Sequence, residues 1–340
     1  MFIDERIGLK YGAGGRAMRA LIEQVFAAGA EDAPGEVGLA AMDDGAALRL
    51  GDSWLVLTTD SHVIHPIFFP GGDIGRLAVC GTVNDLAMMG ATEPLALTLS
   101  VIVEEGFPKG DLERIQASVR AACREAGTRI VTGDTKVMPH GQIDGVVLNT
   151  AGVGLARRVV RDSGLRPGDR ILVTGTVGDH GFAVLAVRSG LELEAELSSD
   201  VAPVNRMVAA ALLAGGEAIT ALKDPTRGGL ASVLQEMAEK SGVGMAIDEG
   251  AVPTSQAVRA AAELLGIDPL HVANEGKAVL GVAPEAAERV LAAVREHPLG
   301  RQAAIIGTCV AEKPGRVVLD TGVGRRLLTE LEGEPLPRIC

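Results

Sequence analysis

The sequence predicts two mixed α/β (α+β) domains in tandem, followed by a short flexible tail. Three observations carry this. At 340 residues the chain exceeds what one typical small core organises. Strand-like and helix-like patterns alternate through both halves. A basic, polar stretch over Arg157–Asp162 and the turn Leu165-Arg-Pro-Gly-Asp169 interrupt that alternation in the middle. The expected division is a glycine-rich segment over 1–39, an N-terminal domain over 40–157, a C-terminal domain over 158–330 and a tail over 331–340.

The turn Gly12-Ala-Gly-Gly15 leads into a helix expected over Arg16–Ala28. In the first domain, 53–59, 95–103, 129–132 and 145–150 read as strands from their β-branched and aliphatic content. Residues 75–90 read as a helix apolar over much of its surface. Residues 111–126 read as an amphipathic one, with Leu112, Ile115, Val119 and Ala122 on one face. In the second domain, 170–175, 245–248, 278–282 and 304–308 read as strands, and 181–189, 203–214, 229–241, 254–265 and 284–296 as helices.

Hydrophobic residues make up 47% and aromatic residues 2%, so the cores must be aliphatic. The scarcity of aromatic platforms and the formal charge of −12 argue against nucleic acid as a partner. Cys80, Cys123, Cys309 and Cys340 form no CxxC pair, which argues against zinc and iron–sulfur sites. The first residues lack the pattern of a signal peptide, and no apolar run approaches the roughly 18–20 residues of a membrane span. A cytoplasmic protein with free thiols is expected.

Aspartates gather at strand ends and turns: Asp43 and Asp44, Asp60, Asp73, Asp85 and Asp134. Hard oxygen ligands on several loops suit Mg²⁺ held against phosphate, although each one alone is also what a turn or helix cap requires. Gly12, Gly14 and Gly15 offer backbone N–H groups to a phosphate or simply make a tight turn. Asp134 and Lys136 pair a carboxylate with an ammonium, either as a metal–phosphate holder or as a surface ion pair. Lys223-Asp-Pro-Thr-Arg-Gly-Gly229 sets Thr226 and Arg227 before a helix start, where they would bind an oxyanion or cap the helix. Glu275, within Asn274-Glu-Gly-Lys277, is a candidate general base or a solvated turn residue. His62 and His65 read as structural. The chain ends in Pro335-Leu-Pro-Arg-Ile-Cys340, where two prolines stiffen a segment bearing a terminal thiol.

Together these motifs resemble the HypE family of hydrogenase maturation factors over almost the entire chain. The resemblance rests on Asp60-Ser-His-Val-Ile, Phe69-Pro-Gly-Gly-Asp, the Asn84-Asp85 helix, Val131-Thr-Gly-Asp-Thr-Lys-Val137, Asp224-Pro-Thr-Arg-Gly-Gly229, Asn274-Glu-Gly-Lys277 and Pro337-Arg-Ile-Cys340. Ile339 replaces the valine common at that position. Several of these motifs also occur in aminoimidazole ribonucleotide synthetase and selenophosphate synthetase, so they indicate the wider PurM-like superfamily. The terminal cysteine and Phe69-Pro-Gly-Gly-Asp73 indicate the narrower family.

The resemblance implies a two-domain PurM-like fold that dimerises through its N-terminal domains, with ATP and Mg²⁺ in a cleft covered by the glycine-rich segment. It implies a carbamoyl dehydratase. A carbamoyl group from a HypF-type carbamoyltransferase becomes a thiocarboxamide on Cys340, ATP drives its dehydration to a thiocyanate, and the HypC–HypD complex accepts the cyanide for [NiFe] hydrogenase. The roles expected on this reading are Cys340 as carrier, Glu275 as proton acceptor, Arg227 orienting the carbamoyl or phosphate oxygens, and Lys136 assisting at the metal and phosphate. Gly12, Gly14, Gly15, Asn84, Lys136 and Thr226 would hold the nucleotide, and Asp43, Asp60, Asp85 and Asp134 the metal, with Asp44 an alternative to Asp43. The terminal carboxylate disfavours the Cys340 thiolate and Arg338 opposes that effect. Two alternatives stand beside this reading: a PurM-like small-molecule kinase, whose activity would survive loss of Cys340, and a non-catalytic ATP-binding scaffold.

Overall fold

The computed structural model describes residues 3–12, 14–191, 196–331 and 339. Near the N-terminus, helix α1 (Gly15–Leu21) widens into a π-turn, Ile22–Phe26, so the expected helix is shorter than its apolar pattern suggested. The first sheet is built from β1 (Ala46–Leu50), β2 (Ser53–His62), β5 (Pro94–Glu104), β6 (Ile130–Met138) and β7 (Val146–Ala156), in the order β1-β2-β7-β5-β6. Only β5 and β6 pair in parallel. Between β2 and β5 lie a two-residue ladder, β3 (Phe68–Phe69) with β4 (Gly72–Asp73), and helix α2 (Ile74–Met88). The Asp73 carboxylate caps that helix by accepting from the Gly75 and Arg76 amides.

Helix α2 is buried almost all round because it is sandwiched. One side lies on β2 and β7, another on α3 (Lys109–Ala126), and its C-terminal end meets the second domain. The apolar stripe predicted for α3 is the face it buries: Ile115, Val119 and Ala122 join the first core.

The second sheet has seven strands in the order β14-β13-β10-β12-β8-β11-β9. These are β8 (Arg170–Val173), β9 (Ile219–Lys223), β10 (Gly244–Asp248), β11 (Val279–Val282), β12 (Ala304–Val310), β13 (Val317–Asp320) and β14 (Arg325–Leu328). Strand β8 shows how the sheet separates two cores. Ile171 and Val173 point into a cluster with α6 (Gly229–Ser241), while Leu172 points the opposite way, into a cluster with α5 (Asn205–Gly215) and α8 (Ala287–Glu296). Helices α4 (Asp179–Arg188) and α7 (Gln256–Leu265) pack together and contribute Phe182, Val184, Val258 and Ala261 to the first domain's core.

Asn84 ties the two domains. Its Oδ1 accepts from the Val204 amide at 2.8 Å, and its Nδ2 donates to the carbonyls of Ala202 (3.1 Å) and Glu275 (3.2 Å). The expectation that Asn84 holds nucleotide is therefore corrected. Its amide is buried and committed to backbone groups, and it lies outside the cavity lining.

Candidate active site

A cavity of about 670 Å³ opens between the two domains, roofed by the N-terminal segment. Its wall is assembled from four places. Asp43 and Asp44 precede β1, Asp60 lies near the end of β2, Asp85 is on α2, and Lys223-Asp224-Pro-Thr-Arg227 runs from β9 to α6. Glu275 closes the inner side, and Gly14 and Gly15 form part of the roof. Gly14 has φ +82°, and a Cβ there would lie 2.9 Å from the Arg227 Cβ; only glycine lets the roof approach the arginine so closely.

The carboxylates fall into two sets. In the outer set, Lys223 is bonded to Asp44 and lies 3.6 Å from Asp162, and Lys240 donates to Asp162 and to the Met42 carbonyl, each at 2.6 Å. Asp43 accepts from the Asp44 amide (3.0 Å) and the Asp162 amide (3.4 Å). Burial, reinforced by Asp162 and Asp44, pushes Asp43 up to about 7. In the inner set, Asp85 accepts from Thr58 Oγ1 at 2.9 Å, while Asp44 Oδ2 and Asp224 Oδ2 are buried with no hydrogen-bond partner. Burial pushes Asp85 well above the usual carboxylate range, and Asp224, Asp60 and Asp44 add to it. Asp224 is pushed up to about 8, by burial first and by Asp44 second.

Buried carboxylates with orphaned oxygens and mutual repulsion are the electrostatic signature of a site that takes a cation. Among the described residues, no group of three His, Cys, Asp or Glu side chains can cage a metal unaided. A hard cation here would complete its shell with oxygens from elsewhere, which suits Mg²⁺, an ion that keeps water and phosphate ligands. The donor set fits it.

Glu275 is 3% exposed, and its Oε1 has no partner. Burial raises its pKa far above normal, with Asp224, Asp200 and Asp60 adding and Arg227 opposing. Its backbone is fixed by Asp200, which accepts from the Glu275 and Gly276 amides (3.1 Å each) and from Lys277 Nζ (2.9 Å). His62 Nε2 lies 3.3 Å from Asp60 Oδ2 without an aligned hydrogen bond, and burial lowers its pKa, leaving a neutral structural ring.

Of the residues singled out from sequence, Gly14, Gly15, Asp43, Asp60, Asp85, Thr226, Arg227 and Glu275 line this one cavity. Gly12 does not, and neither do Asp134 and Lys136. The latter two form a 2.7 Å ion pair on the exposed strand β6, away from their own chain's cavity lining. Cys340, with Arg338 before it, lies outside the described residues. Asp224, Lys223, Glu236 and Lys240 line the cavity without having been assigned a role. Asp224 stood inside a quoted motif, and a carboxylate directly before proline at a strand end was the available signal.

The family model described as AIR synthase related protein, N-terminal domain, matches residues 42–156, and its C-terminal counterpart matches 166–320. A carbamoyl dehydratase HypE from Azotobacter vinelandii is 51% identical over 337 residues, covering 98% of this chain and 97% of that protein. The chain belongs to the HypE family. A solved HypE in complex with ATP superposes with a TM-score of 0.82 at 45% identity, covering 98% of this chain and 99% of the other. A solved HypE–HypF complex gives 0.85 at 45% identity, covering 92% and 100%. Three of the four thiols are quiet because they are buried. Burial pushes Cys80 and Cys123 up, and Cys309 to about 12, so none of the three is a ready thiolate.

Proposed function

We propose that this protein is a cytoplasmic, ATP-dependent carbamoyl dehydratase that supplies cyanide for [NiFe] hydrogenase iron. Relatives at half identity over nearly the full length carry that activity in their names. Neither the kinase nor the scaffold alternative accounts for this. Among the described residues no helix is long and apolar enough to cross a membrane. The observation that carries the reading is the meeting, in one cavity, of an unpaired buried Glu275 with a wall of undersatisfied aspartates.

The thiocarboxamide oxygen on Cys340 attacks the γ-phosphorus of ATP, and ADP leaves. Loss of two N–H protons and cleavage of the C–O bond then give the thiocyanate and phosphate. Glu275 takes a proton, and its buried surroundings make it a strong acceptor. Arg227 orients the oxygens from the start of α6. Asp85 and Asp224 would hold Mg²⁺ together with phosphate and water oxygens, with Asp60 beside them, while Asp44, already bonded to Lys223, and Asp43 behind it flank the ion. The ion would neutralise charge on the transferred phosphoryl group. Gly14, Gly15 and Thr226 would line the nucleotide.

We further propose a HypF-type donor, a HypC–HypD acceptor and a homodimer. Strand β6 supports the dimer: it is a sheet edge, with Val131 and Val137 exposed, a strand end that natural proteins cover. Asp134 and Lys136 then belong to that interface.

The test is to supply carbamoyl donor and ATP and weigh the C-terminal peptide. The expected product is the carbamoylated Cys340 peptide minus one water, with Cys340→Ala still binding ATP but giving no such peptide. Modification of Cys80 or Cys123 with Cys340 untouched would overturn the proposal.

A further inference from the structure

The Phe69-Pro-Gly-Gly72 stretch lies outside the cavity lining, and so does His180, a fully buried ring at the start of α4. They meet at the penultimate residue of the chain. His180 Nε2 lies 2.7 Å from the Ile339 carbonyl oxygen, and its Nδ1 lies 2.8 Å from Ser199 Oγ. A carbonyl can only accept, so Nε2 carries the proton. The Ser199 hydroxyl then donates to Nδ1 and fixes that tautomer. The Phe69 ring meets His180 edge-on, with centroids 5.4 Å apart. The Ile339 side chain is 3% exposed, in the apolar cluster that holds Phe69, Phe182 and Val201.

The glycines of the stretch have a definite task here. Gly71 has φ +91°, and a Cβ on it would fall 2.5 Å from Ser198 Oγ and 2.7 Å from the Ser199 carbonyl. A Cβ on Gly72 would fall 2.7 Å from Val201. The Pro70 carbonyl accepts from the Ser199 amide at 2.9 Å. The stretch is thus moulded onto the 198–201 segment. That segment faces two ways: Ser199 orients His180, and its chain neighbour Asp200 holds the Glu275 and Gly276 amides.

We propose that His180, seated on the Phe69-Pro-Gly-Gly72 floor, is a positioning residue: a clamp that holds the Ile339 carbonyl, one residue before the carrier cysteine, and so favours the docked tail during dehydration. The Ile339 slot and the His180 N–H together recognise an aliphatic residue followed by the terminal cysteine. This rests on the dehydratase reading. The clamp's contribution belongs to the docked tail, whereas loading by an external donor requires the tail released.

The test separates docking from chemistry in the full chain. For His180→Ala, carbamoyl loading should be no slower than in the unsubstituted protein and up to about ten-fold faster, because it draws on the same released tail, and ATP affinity should be unchanged. Release of Cys340 by a carboxypeptidase should be about ten-fold faster, the weight of one well-made hydrogen bond, and dehydration of the preloaded chain about ten-fold slower. His180→Gln, which keeps an N–H donor, should recover part of both. If His180→Ala fails to fold, Ile339→Ala should give the same pattern, with its digestion normalised to a free peptide of the same terminal sequence. Equal digestion rates in all variants, or unchanged dehydration, would overturn the clamp. If the unsubstituted chain produces no thiocyanate, the dehydratase reading fails, while the digestion rates still report on the dock.

Discussion

Two buried acidic environments adjoin Glu275, one a single aspartate and the other a cluster, and they are built in opposite ways. On one side, Asp200 is fully satisfied. Burial alone would raise its pKa, but the Lys277 ammonium and the Glu275 amide outweigh that and hold it below the usual range. On the other side, burial and neighbouring carboxylates raise Asp85 and Asp224, burial and Asp162 raise Asp44 against the opposing Lys223 ammonium, and one oxygen each of Asp44 and Asp224 is orphaned. Both regions are acidic and buried, so composition cannot tell them apart. Partnering does: the satisfied carboxylate braces backbone amides, and the other set keeps orphaned oxygens that a cation would satisfy.

The comparison can be broken in three places. Glu275 stands on the boundary, and Glu275→Gln should lower the dehydration rate by roughly 10²–10⁴ with ATP affinity retained, measured by single-turnover mass analysis. A loss confined to the Michaelis constant would move Glu275 to the scaffold side. Asp200→Ala leaves the Lys277 ammonium buried and unpaired, and should cost about 3–5 kcal/mol in denaturant unfolding. A much smaller cost would mean that Asp200 is not scaffolding.

The third place is pH. Asp224 rises from 3.8 to about 8 and Asp43 to about 7, so the folded chain binds these protons more tightly than the unfolded one. The stability they contribute is full below pH ~4 and is lost as pH rises through 7 to 8. Without cation, the melting temperature should fall across that window. Asp224→Asn should flatten the fall and raise the melting temperature at pH 8 while abolishing turnover. Asp200 should act in the opposite window, losing its contribution only below pH ~4. A melting temperature independent of pH between 5 and 8 would remove the contrast.

The sequence made the long elements legible because their patterns are local. The apolar run of α2, the stripe of α3 and the strands β2, β5 and β7 are written in their own residues. Strands β1, β9, β13 and β14 went unread. Each has only four or five residues, and each draws its stability from sheet neighbours rather than from its own alternation. In the site, Asp60, Thr226, Arg227 and Glu275 were legible as polar groups at strand ends and turns, whereas Asp85, read with the turn aspartates, sits inside helix α2. Asn84 was misjudged because an amide serves a ligand and a backbone equally well, and only its neighbours reveal which.

By itself, the sequence determined that this chain is mixed α/β with aliphatic cores, carries acidic groups on connecting turns and ends in a thiol, because those properties reside in residue type and spacing. Only the tertiary structure decided which carboxylates share a counter-charge, that Asp224 completes the inner set, and that His180 grips the residue before the cysteine. Those facts depend on distances between segments far apart in the chain, and burial turns such distances into energies.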